Sequence, residues 1–226
     1  MILKIMRSNM IEIIPAIIPT SYTEIEEKIK KIEGQFERVQ VDVVDGEYVP
    51  NISWPFNDSE FDFDFGDGNN EIQELPYAKY VDYEVDIMAK ESHKYFDTFV
   101  NLGATRIILH LGENTDETKE FIEAVSNDAR DGVQVGIAIH QEYDMSVVDK
   151  FANVVDFLQV MGIDKVGFQG HEFTQKTFEI IKYIKTNYPE MEISVDGGVK
   201  VNMLEELEKA GVSRAVMGSG FWDNIE

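Results

Sequence analysis

Two aspartates at the ends of short apolar runs are the residues best placed to do chemistry. In Val39-Gln40-Val41-Asp42-Val43-Val44-Asp45-Gly46 the period of two sends Gln40 and Asp42 to one face and Val39, Val41 and Val43 to the other. A polar pair facing inward at a strand end is expensive unless it binds something or is fully hydrogen-bonded, which marks Asp42 as functional. Asp45, in the Asp-Gly turn, reads as a structural cap. The second aspartate, Asp196, closes Ser194-Val195-Asp196-Gly197-Gly198 ahead of a helical stretch. Paired glycines leading into a helix let backbone N–H groups approach a phosphate, and the helix dipole favours the anion. Met217-Gly218-Ser219-Gly220 offers the same chemistry, although glycines used only as turns would give the same pattern. A third glycine-punctuated stretch runs from Gly162 through Gly167-Phe168-Gln169-Gly170-His171 to Phe173 and has the composition of a loop that closes over a ligand.

His110 follows Leu109 at another strand end, either lining the site or serving as a hydrogen-bonded structural histidine. His93, His140 and His171 have no partner spacing that suggests a metal site. Cysteine is absent, which removes disulfides, thiolate metal sites and cysteine nucleophiles and fits a reducing cytoplasm. No Ser-His-Asp arrangement or nucleophile elbow is present.

The elements that must position these residues alternate along the chain. Apolar runs predict strands at Glu12–Ile18, Arg38–Val43, Val81–Met88, Arg106–Leu111, Val133–Ile139, Phe157–Gly162, Glu192–Asp196 and Ala215–Gly218. Helical patterns lie between most of them: Ser21–Ile32, Lys90–Leu102, Asp116–Asn127, Ser146–Ala152, Thr174–Asn187 and Val201–Ala210. Such alternation calls for a parallel sheet, open or closed. An open doubly wound sheet would want a glycine-rich fingerprint after the first strand, and Ile18-Pro19-Thr20-Ser21 supplies none. The expected fold is therefore a single closed α/β barrel, (β/α)8, over residues 1–226, with its site at the C-terminal ends of the strands. Two places depart from regularity. Residues 57–70 alternate acidic residues with Phe where a helix should follow strand two, reading as an irregular insertion or lid. Only Phe221–Glu226 follows the last strand, so the final helix is a truncated stub, and the surface it leaves bare points to a homo-oligomer.

The 226 residues carry a formal charge of −23, from 20 basic and 43 acidic side chains. Such a surface repels nucleic-acid backbones and anionic membranes, so neither is an expected partner. An anionic substrate would have to be held by local N–H groups. The N-terminal apolar stretch is interrupted by Glu12 and Pro15 and lacks a small-residue cleavage site; a soluble, cytoplasmic protein is expected.

Several segments together resemble the ribulose-phosphate 3-epimerases across nearly the whole chain. They are Ile14-Pro15-Ala16-Ile17-Ile18, Asp42-Val43-Val44-Asp45-Gly46-Glu47-Tyr48-Val49-Pro50-Asn51-Ile52, Gly167-Phe168-Gln169-Gly170 and Val195-Asp196-Gly197-Gly198-Val199. The resemblance implies a barrel of the ribulose-phosphate-binding type and a phosphorylated sugar as partner. It implies that Asp42 and Asp196 form an acid–base pair working on opposite faces of the substrate. Gly167, Gly170, Gly197, Gly198, Gly218, Ser219, His110 and Met161 would then bind substrate and its phosphate. In the family the two aspartates also hold a divalent metal with two histidines, and those histidine positions fall on Gln40 and Asp86. The family's strand-one serine is Ala16, and the Asn-Pro before its strand-six glycine loop reads Asp164-Lys165-Val166. Related decarboxylases need Lys where this chain has Val44, which disfavours their chemistry. The metal set becomes Asp42, Asp86, Asp196 and Gln40. All its donors are oxygens, which suit Mn or Mg better than Zn. Three carboxylates without a cation would repel one another, so the pocket holds either a metal or a neutral carboxylic acid. A one-residue slip in strand three would turn Asp86 away and bring in Val85 or Ile87.

Overall fold

The computed structural model describes residues 11–63, 74–128, 132–168 and 170–225. The second half of the acidic segment 57–70, and Gln169 of the glycine loop, lie outside the described residues. Eight parallel strands follow one another in chain order around a closed barrel. They are β1 (Glu12–Ile17), β2 (Arg38–Val44), β3 (Asp82–Met88), β4 (Ala104–Leu109), β5 (Gln134–Ile139), β6 (Phe157–Met161), β7 (Glu192–Asp196) and β8 (Arg214–Met217). All eight predicted strands are present, β7 with the predicted bounds and the others with ends displaced by at most two residues.

The helices are α1 (Tyr22–Lys31), α2 (Phe96–Asn101), α3 (Thr115–Asp128), α4 (Ser146–Phe151), α5 (Lys176–Asn187), α6 (Leu204–Lys209) and α7 (Ser219–Trp222). Two are shorter than their sequence patterns suggest. Ser92–Tyr95 and Val201–Met203 wind as 3-10 turns ahead of α2 and α6. Ser92 is committed elsewhere, since its hydroxyl donates to the carbonyl of His110 at 2.6 Å. The expected stub after β8 is α7, whose Trp222 Nε1 donates to the carbonyl of Ala16 at 2.7 Å. Ser21 caps α1 by accepting from the Glu24 N–H at 3.2 Å, and the Glu24 carboxylate accepts from Thr20 N at 2.8 Å. These reciprocal bonds form a variant of the capping box. Among the described residues no helix is long and apolar enough to cross a membrane.

Contacts group the chain into two compact units, one of Ile17–Val135 and one that joins Gly136–Glu226 to the β1 segment as far as Ala16. In the first unit the registers Gln40↔Glu84, Asp42↔Asp86 and Glu84↔Arg106 put like parity on one face. Gln40, Glu84 and Arg106 make one tier, and Asp42, Asp86 and Ile108 the next. Val39, Val41 and Val43 of β2 fill the opposite face and are buried. The register also settles β3: Asp86 pairs with Asp42, with no slip between them. In the lower tier Arg106 Nε lies 3.1 Å from Glu84 Oε2, each side chain 1% exposed, and the guanidinium also contacts Gln134 Oε1. In the second unit Arg214 bridges Glu12 at 2.8 Å and Glu192 at 2.6 Å, while Ile14, Ala16 and Val216 pack together as buried residues.

Removing one partner of a fully buried ion pair leaves an uncompensated charge. Arg106→Met should therefore lower unfolding free energy by about 3–5 kcal/mol. The double variant Arg106→Met/Glu84→Met should recover most of that loss, as read by urea denaturation. A single variant as stable as the wild type would show that the pair carries no such constraint.

Candidate functional site

The chain holds the end of β2 firmly. Ser53 Oγ accepts from Val44 N at 2.9 Å and donates to the carbonyl of Asp42 at 3.1 Å, while Ser53 N donates to the carbonyl of Val44 at 3.0 Å. Asp45 is the structural cap expected of it. Its Oδ1 accepts from the N–H groups of Glu47 and Tyr48, and its Oδ2 from Lys90 N, all at 2.8 Å. One carboxylate thus ties the turn after β2 to the segment after β3.

Asp42, Asp86 and Asp196 each present an oxygen, and these atoms all lie within 4.8 Å of one another. Asp42 and Asp86 are buried and Asp196 is half-buried. Carboxylate oxygens bound to one cation at about 2.0–2.6 Å are separated by distances in this range, so the three residues fit a divalent ion. The set is all oxygen, as the chain's composition at these positions requires.

Each carboxylate has a nitrogen from a neighbouring side chain. Gln40 Nε2 donates to Asp42 Oδ1 at 2.8 Å, so the amide nitrogen, which does not ligate cations, is the group that faces Asp42. Gln159 Nε2 donates to Asp196 Oδ2 at 3.4 Å. His110 Nε2 lies 2.8 Å from Asp86 Oδ1, with both side chains fully buried. Sequence reading missed Gln159, Ser53 and the partnership of His110 with Asp86. Gln159 could have been found by the reasoning used for Gln40, because it is a polar residue inside the apolar run Phe157–Met161.

The glycine turns are close-packed. Gly162 N–H donates to the carbonyl of Asp196 at 2.6 Å, and a Cβ on Gly162 would collide with the Gly197 carbonyl. Gly197 and Gly198 have φ of +99° and +69°, and a Cβ on Gly198 would stand 2.6 Å from Phe173 N. A Cβ on Gly220 would meet the Val199 carbonyl at 2.9 Å. The turns after β6, β7 and β8 therefore touch, and packing alone demands several of these glycines. Gly170 differs: its φ is +86° and nothing lies within 4 Å of a Cβ there. Gly218 and Ser219 open the short α7, and Met161 is buried opposite Asp196 in the β6–β7 register. Of the other histidines, His93 lies 3.5 Å from Glu117, His140 beside the Tyr143 ring and His171 beside Phe168.

The general class is a closed parallel (β/α)8 barrel with a carboxylate cluster at the ends of β2, β3 and β7 that fits a divalent ion. Residues 12–222 match the Ribulose-phosphate 3 epimerase family, and the chain belongs to that family. It is 25% identical over 215 residues to the ribulose-phosphate 3-epimerase of Aquifex aeolicus (strain VF5), covering 92% of this chain and 88% of that protein. Identity to the enzyme of that name from Buchnera aphidicola subsp. Acyrthosiphon pisum is 27%, covering 92% and 86%. For the one from Escherichia coli (strain K12) it is 25%, covering 93% and 88%. Among solved structures, KGPDC from Streptococcus mutans superposes with a TM-score of 0.67 at 10% identity, covering 95% of this chain and 91% of that one. The tryptophan synthase complex from Pyrococcus furiosus gives 0.64 at 12% identity, covering 94% and 88%. These structural likenesses concern the fold.

Gly198→Ala should cost about 1–3 kcal/mol, because it combines a left-handed backbone with a backbone clash. Gly170→Ala should cost less, since only the backbone conformation opposes it. Equal losses in thermal or urea unfolding would contradict the packing account.

Proposed function

We propose that this chain interconverts pentulose 5-phosphates by inverting the carbon next to the ketone, with Asp42 and Asp196 as the acid–base pair. The observation that carries this reading is the convergence of the two carboxylates, from β2 and β7, on one cluster with Asp86. One aspartate takes the proton from the carbon beside the carbonyl, and the electron pair left behind delocalises into an enediolate. The other returns a proton on the opposite face, so the stereocentre inverts and no net proton is gained or lost. Gln40 and Gln159 each donate to one of these carboxylates and so orient it. A divalent cation held by Asp42, Asp86 and Asp196 would stabilise negative charge on the substrate oxygens. Gly167, Gly170, Gly197, Gly198, Gly218 and Ser219 would hold the phosphate through backbone N–H groups, with Met161 beside the substrate, while the fully buried His110 stands behind Asp86.

A second reading is favoured by one observation: Gln40 and Asp86 stand where the family resemblance places imidazoles. On that reading the barrel binds, or isomerises, a different sugar phosphate.

The test is to mix the protein with ribulose 5-phosphate and Mn, Mg or Zn and follow xylulose 5-phosphate. Turnover is expected, with kcat lowered about 10²–10⁴-fold in Asp42→Asn and in Asp196→Asn. No turnover with any of the three metals by folded protein sinks the epimerase reading. Thermal stabilisation by another phosphosugar would then support the second.

A further inference from the structure

Asp86 occupies a position where the family resemblance places an imidazole, yet an imidazole stands directly beside it. His110 sits one residue beyond β4, and its Nε2 is 2.8 Å from Asp86 Oδ1. The residue is held from several directions. Its carbonyl accepts from Ser92 Oγ at 2.6 Å, its backbone N–H donates to the carbonyl of Ile87 at 3.4 Å, and the Tyr48 ring meets the imidazole edge-on at 5.3 Å. His110 and Asp86 are both fully buried.

We propose that His110 is a positioning residue, which fixes Asp86 as the third carboxylate ligand of a hard divalent cation. In this chain an imidazole stands against the carboxylate instead of occupying its position. An Nε2 placed 2.8 Å from a carboxylate oxygen faces that oxygen and not the cation. A histidine in this role sets the orientation and basicity of the ligand it touches, and its loss weakens metal affinity rather than abolishing the site. The inference rests on the metal-centre part of the proposed function but not on turnover.

The experiment titrates the protein with Mn²⁺ and counts free ion by electron paramagnetic resonance. The wild type should bind, and His110→Leu should weaken binding about 10–100-fold. His110→Gln, whose amide nitrogen reaches the place of Nε2, should stay within about threefold of wild type. Asp86→His removes the carboxylate that His110 orients. In that background His110→Leu should cost no affinity, which a merely structural loss would not reproduce. Unchanged Mn²⁺ binding by His110→Leu overturns the proposal, as does an equal loss in both backgrounds or a wild type that binds no Mn²⁺. Should the leucine variant fail to fold, ¹⁵N-histidine spectra of the wild type decide the matter. On Mg²⁺ addition Nε2 of His110 should shift and keep its proton; loss of that proton would make it a ligand and overturn the idea. A protein that binds Mn²⁺ as described but never epimerises ribulose 5-phosphate defeats the epimerase reading and leaves this one standing.

Discussion

Three carboxylates whose oxygens lie within 4.8 Å of one another set the terms for everything around them. Two unit charges at that spacing repel by about 3–4 kcal/mol at an effective dielectric of about 20, and here there are three pairs. The neighbouring residues supply what such a cluster needs. Gln40 donates to Asp42, Gln159 donates to Asp196, and His110 stands against Asp86. Two of these are neutral amides, which orient a carboxylate without neutralising it. The cluster therefore keeps its demand for positive charge, and that demand is what makes a divalent ion a natural occupant.

Charge is handled differently one tier below. Glu84 faces Arg106 within its own unit, and Glu12 and Glu192 share Arg214 in the other. Guanidinium groups answer those carboxylates in place, so these tiers are complete without a ligand. The same strands thus carry closed ion pairs at their lower ends and an open acidic cluster at their upper ends. Side-chain length is one cause: Arg and Glu reach across a tier, whereas the shorter Asp stops short and leaves room.

Most of the fold was readable because each strand is an apolar run bounded by turn residues, and that signal survives errors of one or two residues at the ends. Asp42 and Asp196 were readable for a related reason, since an acidic residue inside an otherwise buried run is conspicuous. Asp45 could be read as a cap from its Asp-Gly turn, though Lys90 as its third partner could not, because that bond joins residues far apart in sequence. The pairing of His110 with Asp86 was hidden for the same reason. It depends on the β3–β4 register and on how far a histidine just past a strand end can reach back. The 3-10 turns at Ser92–Tyr95 and Val201–Met203 escaped notice because helical periodicity does not distinguish three residues per turn from 3.6 over so short a span.

The bracket made by Asp45 has a consequence for how such a site changes over generations. By gripping the turn after β2 and the backbone at Lys90 together, it keeps the β2 and β3 ends in step whatever side chains they carry. Ligand identity is thereby uncoupled from ligand placement. A lineage can exchange an imidazole for an amide or a carboxylate at residues 40 and 86 without rebuilding a loop, because the scaffold spaces the positions and not the residues.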